Sequence, residues 1–179
     1  SKKNKKILLS VGRLCKQKNQ VLLIKAFSEF SKKNKNYKLI ICGDGPDRES
    51  IHSLIKYYNL TKKIILKKWT HNIKIYYKNS SIFVLTSLYE GMPNVLIEAL
   101  NSNMPCISSK VSGVSDLLLN GRGGLILKNY DSTHLAKSIN KVIKNYDIYL
   151  KKTKLSKIYL NRYEINNASS KYFKLLKNV

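Results

Sequence analysis

At 179 residues with 43% hydrophobic content, the chain is long enough for one domain with a real core and far from the composition of disordered chains. No apolar run approaches the roughly 20 residues that span a bilayer, so a soluble protein is expected. The net charge of +24, from 34 basic and 10 acidic residues, admits a solvated basic surface, attraction to anionic lipid or nucleic-acid binding.

Taken in chain order, Ile7 to Val11 is a short apolar run ending at Gly12, the signature of a buried strand. Val21, Leu22, Ile24, Ala26, Phe27 and Phe30 recur at helical spacing, and Lys38 to Cys42 reads as a second strand. A helix is predicted from about Pro46 to Tyr58, a strand at Lys63 to Lys67 and a helix from about Asn72 to Asn79. Ile82 to Thr86 is a continuous apolar strand, followed by a helix at Asn94 to Ser102 and a strand at Pro105 to Ser108. A helix near Ser112 to Leu119, a strand at Gly124 to Leu127 and a helix at Ser132 to Lys144 continue the alternation. The tail from Ile148 to Val179 reads as two helices, with Leu150, Leu155, Ile158 and Leu160 on the apolar face of the first and Tyr172, Phe173, Leu175 and Leu176 on that of the second. Apolar strands alternating with helices imply a parallel sheet covered on both faces. The fold class is therefore α/β, a Rossmann-like doubly wound sheet with its ligand at the carboxyl ends of the strands.

Function is expected in the loops at those ends. After the first strand, Gly12 lets the backbone turn, and Arg13 and Lys18 are both able to face an anion. After the second, Gly43-Asp44-Gly45-Pro46 has the features of a helix start, lacks the third glycine of a dinucleotide fingerprint and reads as a structural turn. After the fourth comes Ser87-Leu88-Tyr89-Glu90-Gly91-Met92-Pro93-Asn94, with Glu98 one turn into the next helix. Carboxylates accept hydrogen bonds only, which suits sugar or ribose hydroxyls, and the free N–H groups near Asn94 suit ligand oxygens. The flanking Val95, Leu96, Ile97 and Ala99 predict a largely buried helix, in which an unpaired Glu98 is costly.

Other chemistries find no support. Cys15, Cys42 and Cys106 lie far apart with no CxxC spacing, which favours a reducing, cytoplasmic setting. His52, His71 and His134 are scattered, so no metal site is expected, and no Gly-x-Ser-x-Gly elbow occurs. Lysines are spread along the chain without aromatic interleaving on a strand, so nucleic-acid binding is not expected. Ser1 to Lys6 leads directly into the first strand with no signal-like segment, and a start without Met is expected of a piece of a longer chain.

In order, Val11-Gly12-Arg13-Leu14 with Gln17-Lys18-Asn19, Gly43-Asp44-Gly45-Pro46, the strand Ser81 to Ser87 leading into Glu90-Gly91-Met92-Pro93 and Glu98-Ala99, then Gly113 and Gly124-Leu125 resemble the C-terminal, donor-binding domain of retaining GT-B glycosyltransferases of glycosyltransferase family 4, the glycosyl transferases group 1. The resemblance covers nearly the whole chain. It implies transfer of a hexosyl unit, with retention, from a nucleotide diphosphate sugar, by preference a UDP-sugar, to a saccharide or lipid-linked acceptor hydroxyl.

By the same resemblance Arg13 and Lys18 hold the diphosphate and stabilise the leaving nucleotide in place of a metal, so no cofactor is expected. Glu90 lies near the donor sugar, Gly12, Gly91, Met92, Pro93 and Asn94 line the donor site, and Glu98 binds the ribose hydroxyls. Trp69 and Thr70 lie beside the base, although Lys68 stands where the family commonly has glycine. The Glu90 to Glu98 stretch becomes one wall of a site whose opposite wall is Arg13 and Lys18. An N-terminal acceptor domain is implied that this chain lacks, so this half alone is expected to bind donor weakly and to catalyse nothing. Its last helix, around Ile165 to Leu176, is expected to pack towards that domain. A non-catalytic nucleotide-sugar binding module using the same loops stays open as the alternative.

Overall fold

The computed structural model describes residues 2–161. Six strands, β1 (Ile7–Val11), β2 (Lys38–Cys42), β3 (Ile64–Lys67), β4 (Ile82–Leu85), β5 (Cys106–Ser108) and β6 (Leu125–Ile126), form one sheet in the order β3-β2-β1-β4-β5-β6. Every pairing is parallel, with Leu8 beside Leu39 and Ile82, and Ile107 beside Leu125. Parallel strands need crossovers, which are supplied by α1 (Gln20–Lys33), α2 (Arg48–Tyr57), α3 (Lys74–Asn79), α4 (Asn94–Asn101) and α5 (Val114–Leu117). Two further helices, α6 (Ser132–Lys144) and α7 (Tyr146–Leu160), close the described chain.

The central strands are largely apolar because both faces are covered. Leu8, Leu39, Ile41, Ile82 and Val84 pack with Leu23, Phe27 and Phe30 of α1 and Ile139 of α6. Their neighbours Leu9, Ile40, Phe83 and Leu85 point the other way, onto Tyr77 of α3, Leu96 and Leu100 of α4 and Leu160 of α7. The strict period of two thus divides one hydrophobic run between two cores.

Several expectations change in detail. The second helix starts at Arg48 and leaves Pro46 in the turn before it. The third starts at Lys74, the fourth strand stops at Leu85, and the fifth helix shrinks to Val114–Leu117, followed by a 3-10 turn at Leu119–Gly121. Asn120 there has φ 53, a left-handed conformation that a regular helix excludes.

The tail is corrected more substantially. Helix α7 begins at Tyr146 and buries Tyr146, Tyr149, Thr153, Ser156 and Leu160, while Leu155 and Ile158 are exposed. Small polar residues face inward because the backbone comes close: a Cβ on Gly123 would fall 1.6 Å from the Ser156 Oγ. The second tail helix, with Tyr172, Phe173, Leu175 and Leu176, lies outside the described residues.

Candidate functional site

The order in which successive strands are added reverses between β1 and β4, which are parallel neighbours although their crossovers lead to opposite sides. A doubly wound sheet leaves its ligand crevice at such a switch point, outside the carboxyl ends of the two strands. The loops leaving β1 and β4 are the ones that carry Arg13 with Lys18 and Glu90 with Gly91.

After β1, Gly12 continues the sheet by donating to the Cys42 carbonyl at 3.0 Å. The loop is then braced from the β2 side: Leu14 N–H donates to Asp44 O at 2.9 Å and Asp47 N–H to Leu14 O at 3.0 Å. This bracing needs glycine, since a Cβ on Gly43 would sit 1.9 Å from the Gly12 carbonyl oxygen and one on Gly45 would sit 2.3 Å from that of Leu14. Gly43 and Gly45, read from sequence as a helix-start turn, therefore support the Arg13 loop. Arg13 itself is exposed, and its carbonyl accepts from Gln20 Nε2 at 2.9 Å.

A 3-10 turn over Lys16–Lys18 leads into α1 through Asn19. Asn19 adopts φ 48, and its side chain accepts from Leu22 N–H at 3.4 Å, capping the helix in a left-handed conformation that asparagine tolerates. The β4 segment is stitched to this turn. Thr86 Oγ1 lies 3.0 and 3.1 Å from the carbonyl oxygens of Lys18 and Asn19, Leu88 N–H donates to Gln17 O at 2.8 Å, and Gln17 Nε2 donates to Tyr89 O at 2.9 Å.

The stitching brings Lys18 onto Glu90. The ammonium donates to Glu90 Oε1 at 2.5 Å, and the Ser87 hydroxyl donates to the same oxygen at 2.6 Å. The pair is mostly buried, with 17% of the Lys18 side chain and 8% of that of Glu90 exposed. The two predicted walls are thus in direct contact through Lys18 and Glu90.

Beyond Glu90, Gly91 and Met92 are exposed, Pro93 is buried, and Asn94 opens α4. The loop is backed by Gly113, at φ +74, where a Cβ would fall 2.9 Å from Gly91 O and 3.1 Å from Met92 Sδ. Gly113 carried no signal by itself in the sequence; its role follows only from the close approach of β5's exit to this loop.

Glu98 corrects the burial expectation. Helix α4 buries Leu96, Ala99 and Leu100 on one face and leaves Glu98 exposed on the other. It lines a cavity of about 450 Å³ with Ile73, Lys74, Tyr77 and Asn101. Tyr77 beneath it donates to Val95 O at 3.3 Å, and burial, with Glu98 nearby, raises its phenol above the usual range. Trp69 is 58% exposed and Thr70 half-buried in the loop after β3, where Thr70 Oγ1 accepts from Asn72 N–H at 3.2 Å. Among the described residues, no group of three or more His, Cys, Asp or Glu side chains is placed to hold a metal ion.

The fold and these loops define a Rossmann-like α/β protein with a basic and a carboxylate group joined at the switch point of its sheet. Residues 1–158 match the family described as Glycosyl transferases group 1, and the chain belongs to that family. It is 30% identical over 175 residues, 97% of its own length and 48% of the relative's, to the GalNAc-alpha-(1->4)-GalNAc-alpha-(1->3)-diNAcBac-PP-undecaprenol alpha-1,4-N-acetyl-D-galactosaminyltransferase of Campylobacter jejuni. Among solved structures it resembles Staphylococcus aureus TarM, with TM-score 0.85 and 24% identity over 95% of this chain and 35% of that one. It also resembles Anabaena HepE in complex with UDP, with TM-score 0.84 and 19% identity over 97% and 49% of the two chains. The chain spans about half the length, or less, of the curated relatives it matches.

Proposed function

We propose that the chain is the donor-binding, C-terminal half of a retaining GT-B glycosyltransferase of family 4, moving a hexosyl unit from a UDP-sugar to a saccharide or lipid-linked acceptor. The observation that carries this reading is the meeting of Lys18 and Glu90 at the β1/β4 switch point. An ammonium has three donors, and Glu90 takes one. The others are available to a diphosphate oxygen, with the exposed Arg13 guanidinium on the same loop offering its planar fork.

As a glycosidic bond to phosphate breaks, negative charge grows on the leaving nucleotide and positive charge on the sugar. Lys18 and Arg13 favour the first, and Glu90 lies where it orients hydroxyls of the second. The chemistry then needs no metal, and front-face attack by the acceptor is the working route. Glu98, on the cavity between α3 and α4, takes the ribose hydroxyls, with Trp69 and Thr70 beside the base.

A companion N-terminal half supplies the acceptor site in this reading, which fits relatives of about twice the length. The excess of lysine also finds a place. Lys33, Lys137, Lys141 and Lys144 line a groove between α1 and α6 with no carboxylate among its lining residues. Both helices run away from the carboxyl edge of the sheet, so the groove lies at the end opposite the site and suits peripheral contact with anionic lipid.

The test is calorimetric titration of the chain with UDP, GDP and ADP sugars. Measurable binding of one series, lost in Lys18→Met and Arg13→Met, is expected. A chain that binds none of them, or binds them equally well in both variants, sinks the reading.

A further inference from the structure

Glu90 accepts both of its hydrogen bonds on one oxygen. Lys18 Nζ lies 2.5 Å and Ser87 Oγ 2.6 Å from Oε1, while Oε2 has no donor among the described residues. A lysine on a flexible four-carbon stem cannot by itself decide which oxygen it meets, because the carboxylate can turn and present either. The serine can decide. It sits three residues before Glu90, is 1% exposed, and is held from just beyond β5, where the Ser109 hydroxyl donates to Ser87 O at 2.6 Å. Ser109 is anchored in turn by its N–H, which donates to Leu85 O at 2.9 Å.

On this geometry, and resting on the donor-binding reading above, we infer that Ser87 is a positioning residue for sugar recognition: it pins Oε1 of Glu90 and leaves Oε2 to accept from hydroxyls of the donor hexose. Ser87 touches no ligand in this scheme. Its single hydroxyl proton is committed to the carboxylate, so its effect reaches the hexose only through Glu90. The nucleotide, gripped by the cations, does not depend on which way that carboxylate faces. A purely structural role in closing the loop would instead disturb Lys18 and the diphosphate as well.

The experiment measures binding of UDP and of a UDP-hexose to wild type, Ser87→Ala, Ser87→Cys and Ser87→Thr, with UDP-glucose, UDP-galactose and UDP-N-acetylgalactosamine screened first for the tightest. Alanine removes the hydroxyl, cysteine keeps the shape with a weak donor, and threonine keeps the donor. Alanine and cysteine are each expected to weaken UDP-hexose binding about tenfold, in keeping with a hydrogen bond to a charged group, and to shift UDP less than twofold. Threonine is expected to stay near wild type; should it fail to fold in the buried site, the alanine and cysteine pair decides alone. Equal losses for both ligands, or no loss for the UDP-hexose, overturn the inference. Failure of the donor-binding reading looks different: wild type then holds neither ligand, and the role of Ser87 falls with it.

Discussion

Lys18 and Glu90, 72 positions apart, are joined at 2.5 Å where the chain leaves β1 and β4. A second ion pair, Lys3 with Asp147 at 2.9 Å, has side chains 50% and 73% exposed. The two pairs are close in length and opposite in environment, which makes them a matched comparison.

Removing one partner of a buried pair leaves an uncompensated charge, so Lys18→Met is expected to destabilise the fold by about 3 kcal/mol. In a double-mutant cycle with Glu90→Gln, urea unfolding is expected to give a coupling of at least ~1 kcal/mol. The Lys3 and Asp147 cycle is expected to give less than ~0.5 kcal/mol, because water screens it. Equal couplings in the two cycles contradict the burial assigned to the Lys18 site.

Glycine positions around the site separate by space. An alanine methyl at Gly43 would fall 1.9 Å from the Gly12 carbonyl oxygen, whereas nothing lies within 4 Å of one at Gly91. Backbone atoms cannot step aside as a side chain does, so Gly43→Ala is expected to cost 3 kcal/mol or more, on the order of the larger overpacking penalties. Gly91→Ala is expected to change stability by less than ~0.5 kcal/mol. Denaturant midpoints with unchanged slopes check both.

The strands and their order of alternation were legible because each strand is dominated by apolar residues bounded by loop signals, and Gly12, Arg13, Lys18 and Glu90 followed as residues in strand-end loops. What sequence could not supply was direction. Glu98 sits among apolar neighbours in the chain, yet the helix period of 3.6 turns it away from Leu96 and Leu100 into water. Residues that act by close approach, such as Gly43 against Gly12 or Ser156 against Gly123, carry no local signal, since the partner is distant in sequence. Ser87 was visible three residues from Glu90, but its commitment to Oε1 depends on how the loop folds back.

The buried thiols set a response to alkali. Burial pushes Cys42 from 9.0 up to about 11 and moves Cys106 higher still, in each case against a smaller opposing pull from a lysine. A raised thiol binds its proton more tightly in the folded chain, so its contribution is intact below pH 9.0 and is lost as pH climbs towards about 11. Stability is therefore expected to fall over that window, by on the order of 2 kcal/mol for Cys42. Cys42→Ala, compared with wild type by urea unfolding at pH 8 and pH 10.5, should flatten the fall. At pH 8 a thiol reagent is expected to label the half-buried Cys15 in the folded chain and the other two only on unfolding.

Glu98 tests the nucleotide side of the proposed site independently of the sugar. It is exposed on α4 and pairs with no lysine or arginine among the described residues, so Glu98→Ala is expected to leave stability within ~0.5 kcal/mol. Ribose hydroxyls donating to its carboxylate make charge-assisted hydrogen bonds, worth about 1.5–3 kcal/mol each. Wild type is therefore expected to bind UDP roughly tenfold more tightly than 2′-deoxy-UDP, in line with that magnitude. In Glu98→Ala the two ligands should bind nearly alike, because the group that distinguishes them is gone. If the variant keeps the full preference for UDP, the ribose lies elsewhere and the cavity between α3 and α4 is not its seat.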